Sequence, residues 1–305
     1  MNVIMKQHYP SGSWKDRFLT TRQLGEMLHI KERKVYALAS SGEIPCVRAL
    51  GKLLFERAAV EAWLNGHGSE LSGERYPEPA RVYLGCHDPM LEWCMRESGS
   101  SLATFLDPDG NGMELFGAGQ GMVAGLHLYC PSEDEWNLPV VRGCFSEEPV
   151  VLMEWAWRER GLIVAPGNPH GVKSLRGLPG LRVMPRCELN GSQDLLSNCL
   201  ARADVDASAV VHGKPARTEV DAALAVLDGE VDAAFGLKSV AQHYHLDFVP
   251  VVRERLDLLV WRRQCFEEPL RALLDFFRSP AFLEKAGRLD GYDFSGLGRT
   301  LFNGK

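Results

Sequence analysis

The sequence predicts an α/β chain in two parts: a small helix-rich head carrying a β-ribbon, and behind it two α/β halves joined by crossing strands. Three observations carry that expectation. Between Phe18 and Leu64 the apolar residues change from helical to strand spacing, within a stretch long enough only for a few short elements. From Ala80 onward a short apolar run, a polar loop and a helix-start signal recur. Charge is divided along the same line: residues 1–66 hold 10 Lys and Arg against 6 Asp and Glu, a net of +4, so with −6 over the whole chain the remainder carries −10.

In the head, Thr20 is placed to cap a first helix, with Gln23 three positions on completing a capping box and Leu24, Met27 and Leu28 recurring on its inner face. His29-Ile30-Lys31 interrupts the pattern. Glu32 to Ser41 resumes it with Val35, Leu38 and Ala39 inward, which turns Arg33, Lys34, Tyr36 and Ala37 outward. Ser41-Gly42 stops that second helix, Pro45 to Phe55 forms a hairpin around Leu50-Gly51, and Arg57 to Leu64 closes the core with Val60, Trp63 and Leu64. The outline is a winged helix-turn-helix. A second helix showing cations and a small residue outward suits a major groove, and the alternative is an interaction module with a solvated basic face.

The run LT…VYAL followed by SGEIPCVR resembles the excisionase-type, MerR-like DNA-binding module over most of residues 18–64. That resemblance implies double-stranded DNA as partner, with Arg22, Lys31, Arg33, Lys34, Tyr36, Ala37, Arg48 and Lys52 as candidate contacts. Lys31 stands where that family has a serine N-cap, and Leu53-Leu54 stands in a wing that is usually more basic, so helix start and phosphate grip are both weakened. A basic head on an acidic body fits the same reading.

Residues 1–66 are thus expected to form the DNA-binding domain, residues 67–79, rich in glycine, serine, charge and proline, a linker, and residues 80–305 the second domain. Arg81 to Gly85 reads as a buried strand, and Cys86-His87-Asp88-Pro89 as the turn into a helix over Met90–Glu97, with Asp88 as N-cap. Ser101 to Leu106 and Met122 to Tyr129 follow as strands, with a loop at Asp107–Gly112 and a helix start at Met113–Phe116. Cys130 to Pro139 reads as a loop. Val150–Trp157 and Leu162–Ala165 read as two strands joined through Arg158-Glu159-Arg160-Gly161.

The second set begins with strand Leu181–Met184, a loop at Asn190–Gln193 with Ser192 as N-cap, and helix Asp194–Ala203. Thr218 caps Glu219–Leu227 ahead of strand Val231–Phe235. Asp247–Arg253 and Asp257–Trp261 are strands returning to the first half, and Pro269–Phe277 and Ala281–Leu289 are helices. Lobe 1 is expected over about 80–165 and 250–305, and lobe 2 over about 166–249.

GCHDPMLEW, AGLHLY, GLIVAPGNPHG, VDAAFGL, LDFVPV and LDGYDFSGLG resemble a periplasmic-binding-protein-like domain of the molybdate- and tungstate-sensor type, found behind helix-turn-helix modules. What the resemblance implies is a two-lobed, type II periplasmic-binding-protein-like fold with a small oxyanion, molybdate or tungstate, in its cleft. Helix N-termini expose backbone N–H groups and the positive end of the dipole. Candidate ligand contacts are therefore His87, Asp88, Asn111, Gly112, Gly191, Ser192, Gln193 and Thr218, with Lys238 supplying charge from the far side. For each capping residue taken alone, an ordinary N-cap is the simpler account. Where relatives carry a GSGTR-like run this chain has Asn190-Gly191-Ser192-Gln193-Asp194, so a bidentate guanidinium is missing.

Other classes are disfavoured. Eight cysteines, at 46, 86, 94, 130, 144, 187, 199 and 265, form no CxxC pair and no zinc-finger spacing, which leaves free thiols and no expected metal or cofactor. His87 beside Cys86 and Asp88 invites a catalytic reading, yet no nucleophile elbow, P-loop or dinucleotide fingerprint accompanies it. No apolar run approaches a membrane span, and residues 1–14 lack a signal-peptide core. The expectation is a cytoplasmic, homodimeric, non-enzymatic regulator that binds DNA and senses an effector. Its rivals are an architectural factor with a ligand-free dimerisation body, a sensor of an organic metabolite, and an enzyme using His87 and Asp88.

Overall fold

The computed structural model describes residues 18–28, 30–41, 44–49, 52–57, 59–60, 78–106, 111–185 and 191–305, in two compact units, Met1–Pro77 and Glu78–Lys305. His29, Gly42, the Leu50-Gly51 turn, Trp63, Leu64, the segment 67–77, the loop 107–110, Cys187 and Asn190 lie outside the described residues.

In the first unit, strands β1 (Phe18–Thr20), β2 (Val47–Ala49) and β3 (Lys52–Glu56) make an antiparallel sheet in the order β1-β3-β2, with Ala49 opposite Lys52. Helix α1 (Thr21–Met27) packs on β1 and β3, and α2 (Glu32–Ser40) packs on α1. Thr20 and Gln23 form the capping box: Thr20 Oγ1 accepts from the Gln23 N–H at 3.3 Å, and the Thr20 N–H donates to Gln23 Oε1 at 2.9 Å. Such a cap is worth about 1 kcal/mol. Leu19, Leu24, Val35, Ile44, Phe55 and Val60 form one core, each contributing roughly 1.5–3 kcal/mol by burial. Met27, expected inward, is 36% exposed. Thr21, Leu24 and Gly25 are the buried positions of this helix, and Gly25 is covered by the chain entering α2, where a Cβ on it would lie 2.9 Å from the Ile30 carbonyl oxygen.

The second unit is built on one ten-stranded sheet. Its first half holds β4 (Val82–Gly85), β5 (Ala103–Leu106) and β6 (Val123–Leu126), parallel to one another, with helices α3 (Pro89–Glu97) and α4 (Gly112–Gly117) between them in sequence. A short hairpin, β7 (Tyr129–Cys130) and β8 (Glu135–Trp136), leads to α5 (Leu138–Phe145). Strand β9 (Val150–Val164) then leads to the second half, with β10 (Arg182–Met184), α6 (Gly191–Arg202), β11 (Val211–His212), α7 (Glu219–Leu227), β12 (Ala233–Leu237) and α8 (Lys238–His243). Strand β13 (Asp247–Trp261) returns, followed by α9 (Leu270–Phe276), α10 (Pro280–Arg288), β14 (Tyr292–Asp293) and β15 (Thr300–Asn303). The strand order is β11-β10-β12-β9-β13-β6-β4-β5, with β14 and β15 also on β9.

Strands β9 and β13 tie the halves together. They pair antiparallel from Val164–Asp247 to Val150–Trp261. The inner end of β9 carries β12, its outer end carries β15, and β6 lies on the outer end of β13. Each half has apolar clusters of its own: Tyr83, Leu91, Trp155, Leu258 and Phe282 in the first, and Leu162, Val183, Leu196 and Phe235 in the second. The unit is the expected two-lobed α/β domain.

Five expectations are corrected here. Arg158-Glu159-Arg160-Gly161 does not join two strands but runs through the middle of one, and the break expected between Arg253 and Asp257 is likewise continuous strand, with irregular register at Pro250/Val252 and Leu256/Asp257. Charged residues persist there because Glu254 lies opposite Arg158, so each sign finds the other across the ladder. Gly161 is required at this point, since a Cβ on it would sit 2.1 Å from the Val249 carbonyl oxygen. Helix α6 also begins earlier than expected, at Gly191, which puts Ser192 and Gln193 inside the helix rather than before it. Helix α5 was not expected at all, and the last strand of the second half sits two residues late, at Ala233–Leu237.

Candidate functional sites

On the first unit, helix α2 buries Val35 completely, and its 3.6-residue period then exposes Arg33, Lys34, Ala37 and half of Tyr36. Lys31 is its N-cap and makes no side-chain capping bond, as a lysine there must. Lys31 and Lys52 are exposed, whereas Arg22 is paired with Glu26 at 2.9 Å, one turn along its helix. The Arg48 backbone pairs with Leu53 in the hairpin, and its side chain lies outside the described residues.

On the second unit the site grows from the end of β4. Gly85 takes φ 111°, and a Cβ on it would lie 2.5 Å from the Gly125 oxygen, so β4 and β6 approach here more closely than any other residue permits. The chain turns through Cys86-His87-Asp88 into α3. Asp88 caps that helix, accepting from the Leu91 N–H at 2.7 Å, while its second oxygen accepts from Arg158 Nη1 at 2.8 Å and Tyr292 Oη at 2.7 Å. His87 Nδ1 accepts from the Glu219 N–H at 3.3 Å, and its Nε2 lies 3.0 Å from Glu92 Oε2. One imidazole therefore spans the turn of the first half and the first residue of α7 in the second.

Beneath this turn lies a buried ionic cluster. Arg160 holds Glu219 with Nη1 and Nη2 at 3.3 and 2.9 Å. Glu254 stands between the two arginines, 2.5 Å from Arg158 Nη2 and 2.8 Å from Arg160 Nε, with His127 Nδ1 at 3.5 Å. The Glu254 contacts fall off the N–H directions, so they are ion pairs rather than directed hydrogen bonds. Burial would lift the Glu254 pKa, but the charges of Arg158 and Arg160 outweigh it and hold the carboxyl well below its ordinary value. Burial would likewise lower both guanidinium pKa values, and the facing carboxylates raise them instead. A cavity of about 30 Å³ adjoins the turn, lined by Tyr83, His87, Asp88, Glu92, Thr104 and Leu106.

The structure brings some of the expected ligand residues together and leaves others apart. His87, Asp88 and the start of α7 meet at the cluster, and α6 joins them, because a Cβ on Gly191 would stand 3.3 Å from His127 Cε1. Ser192 is buried, and Gln193 follows it in the same first turn. The Thr218 hydroxyl is committed to its capping box, accepting from the Asp221 N–H at 3.0 Å. Lys238 is engaged elsewhere, 3.2 Å from Glu159 and 3.1 Å from Asp290. Glu159 alternates with Arg158 and Arg160 along β9, so Lys238 serves the opposite face of the strand. Asn111 and Gly112 start the six-residue helix α4, which packs on β4 and β6.

Sequence reasoning missed Arg158, Arg160, Glu254, Glu219, His127 and Tyr292. A signal was present: Arg158-Glu159-Arg160 and Arg253-Glu254-Arg255 are two charge-dense triplets set inside otherwise apolar runs.

Comparison with known proteins bears on both units. A helix-turn-helix domain family model matches residues 18–68. YvgK of Bacillus subtilis (strain 168) is 28% identical over 182 residues, 59% of this chain and 58% of that protein. The chain thus spans little more than half the length of that relative. Among solved structures, a cysteine-to-serine mutant of Corynebacterium glutamicum OxyR with hydrogen peroxide bound is 16% identical with TM-score 0.47, covering 88% of this chain and 91% of that one. The sulfate-binding protein SubI of Mycobacterium tuberculosis H37Rv is 12% identical with TM-score 0.49, covering 69% and 85%. A model described as the PBP superfamily domain matches residues 91–278, more than half of the chain, and the chain belongs to that family.

Proposed function

We propose that this chain is a one-component transcriptional regulator, binding double-stranded DNA through an excisionase-like head and a small ligand in the cleft of its two-lobed domain. The observation that carries the reading is the union, in one chain, of a helix-turn-helix unit whose second helix exposes Arg33 and Lys34 with a PBP-family unit whose halves share two fifteen-residue strands. A ligand favouring one arrangement of the halves shifts their equilibrium by no more than its differential affinity. A single small head reads few base pairs, so the acting species is a homodimer on two half-sites.

For the ligand we propose a small oxyanion, with molybdate and tungstate as the first candidates. The helix starts at Gly191 and Glu219 and the guanidinium groups of Arg158 and Arg160 support an anion. A second reading is favoured by a specific count: Asp88, Glu219 and Glu254 surround those two guanidinium groups, three carboxylates to two. That surplus suits an organic ligand offering a donor as well as an acceptor. Titrating the full chain, unfolded and refolded to strip bound ligand, with molybdate, tungstate, sulfate and phosphate by calorimetry tests the first reading. Heat with one of them, together with a changed affinity for operator DNA in its presence, is the expected result; no heat with any leaves the organic ligand.

A further inference from the structure

Helix α7 carries an apolar face that points away from the core of its own unit. Its inner side buries Ala222, Ala223, Ala225 and Val226, and the helix packs on β12 and β9. Its outer side shows Val220, Leu224 and Leu227, spaced by four and three residues, which makes one continuous stripe along a helix. Val220 is half-buried, whereas Leu224 and Leu227 are 36% and 49% exposed. Of the charged residues in the helix, Glu219 is buried and Asp221 serves the capping box, accepting from the Thr218 N–H at 3.0 Å. A helix that is apolar on both sides is one that is covered on both sides.

The charges at the two ends of the stripe say what covers it. Lys214 and Arg217 are exposed just before the helix, and Asp228 and Glu230 are exposed just after it. Negative charge at a helix C-terminus runs against the dipole, and the last turn of α7 holds no basic residue to offset it. An antiparallel neighbour of the same sequence supplies the missing cations. About a two-fold axis near Leu224, Val220 of one copy meets Leu227 of the other, and each cationic end meets an anionic one. Charge and apolar pattern are both self-complementary, as a two-fold contact requires.

We propose that the outer face of α7 is a homodimer contact, in which two copies of this chain lay their α7 helices antiparallel. The proposal rests on the homodimer reading and goes beyond it by naming the surface. The stripe supplies the apolar centre of the contact and the charged ends its polar rim. The same helix begins at the ionic cluster: the Glu219 carboxylate is gripped by Arg160, and the Glu219 N–H donates to His87 Nδ1 at 3.3 Å. A ligand that displaces Glu219 therefore shifts the helix that meets the second copy.

Sedimentation velocity on the full chain at several concentrations is the test. The unaltered chain is expected to be a dimer, and Leu227→Glu to raise its dissociation constant about thirtyfold or more, since a two-fold contact counts each loss twice. Reversing the leading charges, Lys214→Glu with Arg217→Glu, should weaken the dimer about tenfold, and adding Asp228→Lys with Glu230→Lys should restore it to within about threefold. All five positions are exposed, so the variants should keep the fold, which far-UV circular dichroism checks. A dimer unchanged by Leu227→Glu and by the charge reversal overturns this surface and leaves the homodimer reading standing. A weakened dimer that the second reversal fails to restore overturns the antiparallel contact. An unaltered chain that stays monomeric overturns both readings; if Leu227→Glu then lowers its melting temperature, the face is covered by residues of the same chain. Should Leu227→Glu not fold, loss and restoration by the charge variants decide.

Discussion

Arg160 crosses from the middle of β9 to the first residue of α7 and grips the Glu219 carboxylate through two N–H groups, both side chains being buried. Taking either ion out of water costs several kcal/mol, so the pair is stable only as a pair. Glu219→Ala, which strands Arg160 against Glu254 alone, is expected to cost about 3–5 kcal/mol of unfolding free energy. Glu219→Gln keeps an acceptor in place and should cost visibly less. Urea titration followed by tryptophan fluorescence measures both; equal and small losses would mean that water reaches Arg160.

The pH dependence of stability follows from Glu254 and His127. The Glu254 carboxyl is depressed in the folded chain, so its contribution is present above its ordinary value of 4.5 and lost as pH falls through the folded pKa. His127 goes the other way: burial would lower it, but the Cys86 thiolate and Glu254 raise it from 6.5 to about 9. Its contribution is complete below 6.5 and lost as pH rises through about 9. Melting temperature should therefore fall as pH drops below the ordinary carboxyl value of 4.5, while above 6.5 the lowered Cys86 thiol contributes in the opposite sense to His127 and the two leave it nearly level toward about pH 8. A steep decline between about pH 6.5 and 8 would mean that Cys86 stays protonated and His127 acts alone.

On the head, Arg33 faces out from α2 whereas Lys52 starts the strand after the hairpin turn. Base contacts specify and phosphate contacts hold, so the two cations should fail differently. Arg33→Ala should cost about 1–3 kcal/mol on the cognate site and relax preference there, and Lys52→Ala should weaken all duplexes alike and reduce the salt slope by about one. Fluorescence anisotropy on cognate and random duplexes at several salt concentrations separates them; indistinguishable effects would remove Arg33 from the groove.

The head was legible in the sequence because its signals are local. Thr20 and Gln23 cap α1 as three-residue spacing requires, and Val35 alone is fully buried on α2. The Asp88 cap and the Thr218 capping box were legible for the same reason. The buried ionic cluster was not, because its meaning is non-local: Arg158 reads as a strand break until Asp88, 70 residues earlier, and Glu254, on the neighbouring strand, supply the opposite charge. Ser192 was misread as a cap because Ser-Gln-Asp has the chemistry of a helix start, although Gly191 already opens the helix. Lys238 was given to the cleft by proximity in sequence to β12, while the alternation of β9 places its partner Glu159 on the other face.

The two readings of the ligand separate at Asp88. Its carboxylate performs two jobs, capping α3 through the Leu91 N–H and neutralising Arg158. Asparagine keeps the first, being as good an N-cap, and abolishes the second. Asp88→Asn therefore keeps the helix cap and releases positive charge in the cluster, at a cost in stability of about 3–5 kcal/mol, since an amide N–H then faces the Arg158 and Tyr292 donors. If the ligand is an oxyanion drawn to Arg158 and Arg160, removing the competing carboxylate should raise its affinity, by about tenfold for a gain of roughly 1.4 kcal/mol. If the ligand instead offers a donor to Asp88, the same change removes a charged hydrogen bond and should weaken binding by about tenfold or more. Calorimetry with the anion panel and, in parallel, with any organic compound that protects the full chain against heat gives the sign directly. An affinity unchanged for every binder would place the ligand away from Asp88 and move the search to the start of α6, where Gly191 abuts His127.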